Sequence, residues 1–204
     1  MKFEDTGLPS HPTIEKAFNE LRRFDKSDEF TTRGVLIAKL VADHGVNKTP
    51  EAIAAGLFVP LTQDHGPVAL AKADLPAKVP EIVQSVFSFG AASMQGVDTA
   101  ALYGALDPSV RTVILASSIR MFELTANELD NSLKKTDEDG RKSLSAMLLP
   151  VKEFTQMVKA AEPDEAALVQ KCEDYVTRIE KSLNTVGIKL NPAAKDVKPP
   201  RPSR

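Results

Sequence analysis

IAAGLFVPLTQDHG, residues 53–66, reads as an apolar helix that meets a proline and runs on into an acidic, histidine-containing turn. Just upstream, Thr49 is placed to cap a helix, Pro50 to occupy its first position and Glu51 to face its positive end. Pro60 has no backbone N–H and crowds the preceding turn, so the spacing predicts that this helix bends or ends there. A helix of this shape often delivers metal ligands from its polar end. Here the delivery point holds Val59 and Pro60, and neither can ligate anything.

On either side the apolar residues recur at helical spacing, and no alternating run of β-branched residues suggests a strand. Ile14, Ala17, Phe18 and Leu21 share one face of a helix expected near 12–24. Leu36, Ile37, Leu40 and Val41 mark the next, with Gly45 as its stop. Residues 64–80, with Gly66, Pro67, Pro76 and Pro80, read as a loop holding short helical pieces at most. A further helix is expected to end at Gly90, followed by a small-residue loop over 90–98 and a short helix in TAALYGAL. Asp107 and Pro108 cap a long helix carrying Val110, Ile114, Leu115, Ile119, Phe122 and Leu129. Gly140 marks a turn, and two helices follow at roughly 141–160, kinked at Pro150, and 164–185. The expected architecture is one all-α helical bundle over 1–188 with an extended tail at 189–204, whose KPPRPSR end is cationic and of polyproline character.

Composition narrows the function classes. The 204 residues are 42% hydrophobic and 26% charged, as in an ordinary soluble domain. A formal charge of −2 offers no general attraction to nucleic acid or to an anionic membrane. No apolar run approaches the roughly 20 residues that span a bilayer, and MKFEDTGLPS lacks the apolar core of a secretory signal. The lone Cys172 excludes an internal disulfide and any cysteine-based zinc site. A reducing cytoplasm is the expected location.

Three segments, in order, resemble the HD-domain hydrolase half of the RelA/SpoT family, whose members hydrolyse (p)ppGpp. KSDEFTTRG (26–34) is similar to the family's Lys-Ser-Gly-Glu-Pro-Tyr-x-x-His-Pro with one residue deleted. IAAGLFVPLTQD is similar to Ile-Ala-Ala-x-Leu-Leu-His-Asp-x-x-Glu-Asp, and VILASSIRMFEL (113–124) to Val-Lys-Leu-Ala-Asp-Arg-Leu-His-Asn-Met. The resemblance covers roughly residues 10–160 and implies an HD-like bundle. In that family a His, a His-Asp pair and a later Asp hold one divalent cation, usually manganese. Those positions fall here on Arg33, Val59, Pro60 and Ser117, and the Glu-Asp catalytic pair survives only as Gln63-Asp64. The nucleotide-contacting Asn falls on Met121.

The resemblance therefore implies the scaffold without its metal or its catalysis: a pseudohydrolase, acting by protein interaction or regulation, with no cofactor. It also implies that Arg33 points into the vacated cavity, where it needs a partner: Asp64 is the expected one, an anionic ligand the alternative. A second reading keeps a metal-independent phosphate or guanine-nucleotide site from Lys26, Ser27, Arg33 and Arg120. A third relocates the chemistry to the acid–histidine pairs Asp43-His44 and Asp64-His65, against which stands the plainer reading of His11, His44 and His65 as helix-end and loop residues. Ser117-Ser118 and Cys172 are expected to pack rather than react.

Overall fold

A computed structural model of the protein describes residues 1–95, 98–132 and 151–185. Among these the regular elements are α-helices and short 3-10 turns, with no strand, so the all-α expectation holds. The helices are α1 (Pro12–Phe24), α2 (Glu29–His44), α3 (Pro50–His65), α4 (Lys78–Met94), α5 (Thr99–Gly104), α6 (Pro108–Ser132), the described part of α7 (151–161) and α8 (Ala166–Thr185). The turn at Gly140, the first half of the helix expected at 141–160 with its Pro150 kink, and the tail at 189–204 lie outside the described residues. No described helix is long and apolar enough to cross a membrane.

Local chemistry sets most of the boundaries. Thr49 accepts the Ala52 N–H on its hydroxyl at 3.2 Å, and Asp107 accepts the Ser109 N–H at 2.9 Å, so both expected caps form. His11 caps α1 through Nδ1, which accepts from the Thr13 N–H at 3.2 Å.

Two expected stops are overridden. α3 does not end at Pro60 but continues to His65, and α4 continues through Gly90 to Met94. Every residue from Ala52 to Thr62 is buried, because α3 is the central helix, packed against α1, α2, α4 and α6. Burial on all sides offsets an interior proline that costs about 3 kcal/mol. The Thr62 hydroxyl supports the same turn by bonding the carbonyls of Phe58 and Val59. At Gly90 the cost of a glycine is only about 1 kcal/mol, too little to stop a helix anchored by buried Val79, Ile82, Val83, Val86 and Phe89.

The short 45–49 connection makes α2 and α3 an antiparallel hairpin. Its crossing is backbone against backbone. A Cβ on Gly34 would be driven into the Leu57 carbonyl, 2.9 Å from its carbon, and one on Gly56 would lie 3.1 Å from the Ala38 backbone. α6 packs on both helices and runs antiparallel to α2: Gly45 abuts the Thr112 methyl, while Leu36 and Leu40 share a groove with Ile119 and Glu123. α8 then lies along α6, burying Leu168, Val169, Cys172, Val176, Ile179 and Leu183.

Candidate functional site

The α1–α2 loop is organised by one buried carboxylate. Asp25 accepts from the Thr31 N–H at 2.6 Å, the Ser27 N–H at 3.2 Å and the Ser27 hydroxyl at 3.0 Å. Burial pushes this carboxyl up, but the hydrogen bonds from Thr31 and Ser27 outweigh it and hold Asp25 below the ordinary aspartate range. Ser27 is thus committed to the loop, and both it and Lys26 are exposed.

Arg33 stands one residue before the tight crossing. Its Nη1 donates to Asp64 Oδ2 at 2.8 Å, Glu29 lies 3.9 Å away on its own helix, and its guanidinium sits 5.9 Å from the centre of the Phe30 ring. His65 meets the same ring edge-on at 5.2 Å. The expected Arg33–Asp64 pair is therefore present, but its expected place is corrected. The two side chains are 31% and 42% exposed, at the open end of the hairpin rather than inside a cavity. With the Gly34 and Leu57 backbones in contact there is no room for a guanidinium between the helices, so it turns to the edge.

The other positions matched to the ligand set lie elsewhere. Val59 and Pro60 are buried in α3. Ser117 is buried on α6, and its hydroxyl donates to the Ile114 carbonyl at 2.9 Å. In the antiparallel register of α2 and α6, Ser117 is nearer the level of Val41 than that of Arg33. Arg120 pairs with Glu123 and lines a groove whose lining includes neither Lys26 nor Arg33. The phosphate-site cations Lys26, Arg33 and Arg120 thus do not share that cavity.

The acid–histidine pairs also stay apart. His44 ends α2 and His65 ends α3, which places them at opposite ends of an antiparallel hairpin. Among the described residues no three His, Cys, Asp or Glu side chains are grouped to hold a metal ion. Cys172 is 1% exposed, and burial pushes its thiol up to about 12, so it packs as expected.

A buried polar joint was not legible in the sequence. Glu165, 1% exposed, accepts from the Val46 N–H at 3.0 Å and from the Thr112 hydroxyl. One turn earlier Glu162 pairs with Arg111, whose Nη1 also donates to the carbonyls of Gly104 and Leu106. Burial is the main cause lifting the Glu162 carboxyl above the glutamate range; Glu165 adds to it and Arg111 opposes it. Burial likewise drives the nearby Tyr103 phenol far above its usual range. The sequence signal, three acids in AEPDEA, is that of any solvated linker, and only tertiary packing makes two of them, Glu162 and Glu165, a joint.

No family model, curated protein or solved structure matches the chain.

Proposed function

We infer that the chain is a non-catalytic helical module, built on an HD-like scaffold of (p)ppGpp-hydrolase type, that acts by docking on another protein. The observation that carries this reading is the Arg33–Asp64 ion pair. The position matched to a metal-ligating histidine holds a permanent cation, and the surviving member of the matched catalytic pair neutralises it. Val59 and Pro60 are buried in the core and Ser117 is bonded within its own helix, so none of these matched positions offers a ligand. The guanine-nucleotide reading gains no comparable support, since Arg33 is already paired and Lys26 and Ser27 sit on a separate exposed loop. A docking role has surface available to it: Met121 and Leu124 are 54% and 39% exposed on α6.

Two measurements on the full chain test this. Incubation with (p)ppGpp and manganese should give no turnover, and metal analysis no stoichiometric manganese; either positive result overturns the reading. Proximity cross-linking should capture a defined protein with the wild type and lose it with Met121→Asp/Leu124→Asp. An identical capture by both removes the α6 surface from the proposal.

A further inference from the structure

Where α2, α6 and α8 meet, a groove of about 300 Å³ opens to solvent. Leu36, Leu40 and Ile119 supply its apolar lining, and Tyr175 adds an aromatic face. Leu36 is still 37% exposed although it belongs to this concave surface.

The polar lining is unevenly satisfied. Each of the three helices contributes a cation: Lys39, Arg120 and Lys171. Against them stand two carboxylates, Asp43 and Glu123. Glu123 is engaged, pairing with Arg120. That pairing uses Nη1 of Arg120 only, and its Nε is buried without a hydrogen-bond partner. Neither lysine has a carboxylate partner among the described residues. Taking Glu123 against Arg120 and Asp43 against one lysine leaves one uncompensated positive charge beside an apolar, aromatic wall.

We propose that this groove binds a small organic acid, a singly charged carboxylate carrying an apolar body, with its oxygens on the Arg120 guanidinium and the Lys171 ammonium. A monoanion matches the single excess charge, while a phosphate ester would bring a second charge with no cation left to meet it. The carboxylate suits a guanidinium, which recognises planar oxyanions better than an ammonium does. The apolar body would cover Leu36, Leu40 and Ile119. The site is distinct from the Arg33–Asp64 edge, so failure here leaves the docking reading untouched, and manganese-dependent turnover there would not bear on it.

The experiment is an NMR titration of the full chain with sodium benzoate, with benzyl alcohol, phenyl phosphate and inorganic phosphate as parallel arms. Benzoate should shift amides of residues 36–43, 119–123 and 171–175 saturably, with a Kd near ~1 mM. Benzyl alcohol and inorganic phosphate should each bind at least about tenfold more weakly, and phenyl phosphate no more tightly than benzoate. Arg120→Lys keeps the charge and removes the planar guanidinium; Lys171→Gln removes a charge at the half-buried rim. Each should weaken benzoate about tenfold, with a cooperative melting transition retained to show that the variant is folded. Equal binding of benzyl alcohol, equal shifts by inorganic phosphate, tighter binding of phenyl phosphate, or unchanged benzoate affinity in both variants would overturn the proposal.

Discussion

The guanidinium of Arg33 reaches 31 residues along the chain to the carboxylate of Asp64, closing the open end of the α2–α3 hairpin at 2.8 Å. Because both side chains are substantially exposed, the pair stabilises only modestly. Arg33→Ala should lower stability by no more than about 1 kcal/mol, and the loss should shrink in high salt. Urea denaturation at low and high ionic strength measures it. A loss well above this, insensitive to salt, would place the guanidinium in a buried site instead.

Gly34 and Gly90 are both helical glycines, yet their alanine variants should move in opposite directions. At Gly34 the added methyl meets the Leu57 backbone, which cannot swing aside, so Gly34→Ala should destabilise by about 2–3 kcal/mol. At Gly90 nothing lies within 4 Å, so Gly90→Ala should stabilise by about 0.5–1 kcal/mol through helix propensity. Paired melting curves compare them; a neutral or stabilising Gly34→Ala would contradict the close crossing.

Two carboxyls should shape the acid limb with opposite signs. Asp25 is held below its ordinary value of 3.8, so its contribution is present above that value and is lost as the pH falls through its folded pKa. Glu162 is held above its ordinary value of 4.5, so the folded state binds the extra proton. Its contribution therefore improves as the pH falls through the raised value and levels off below 4.5. Asp25→Asn should flatten the loss of stability as the pH falls below 3.8. Glu162→Gln should gain on the wild type as the pH rises from 4.5 towards neutrality. Melting temperatures across pH 3–7 read both, and a Glu162→Gln advantage confined to acid pH would reverse the sign.

Cys172 should resist alkylation in the folded protein. Its thiol is buried, and at pH 8 almost none is thiolate with a pKa near 12. Iodoacetamide should label it only in denaturant; stoichiometric labelling of the native chain would show that α8 leaves α6.

The caps at Thr49 and Asp107 and the face of α1 were legible because their causes lie within a few residues of one another. Pro60 and Gly90 misled because each local penalty is small beside the burial that the rest of the chain imposes on α3 and α4. The Arg33–Asp64 partnership followed from aligned positions, whereas its exposed setting depends on how closely the Gly34 crossing brings two backbones. Glu162 and Glu165 were illegible for the same reason: no short pattern tells a solvated acid from one enclosed by Arg111 and Thr112.

The Glu165 joint also orders the chain in time. Glu165 is 119 residues downstream of Val46, whose N–H it accepts, and 53 downstream of Thr112. At about 5–20 residues per second of synthesis, the Val46 amide waits roughly 6–24 s for that carboxylate. During this interval the face of α6 that α8 will cover is open. A ribosome-stalled chain ending at residue 132 should therefore bind a hydrophobic dye or a chaperone, and the completed protein should not. Equal binding by both would mean that the N-terminal helices close their own surface and that the last segment arrives at a finished fold.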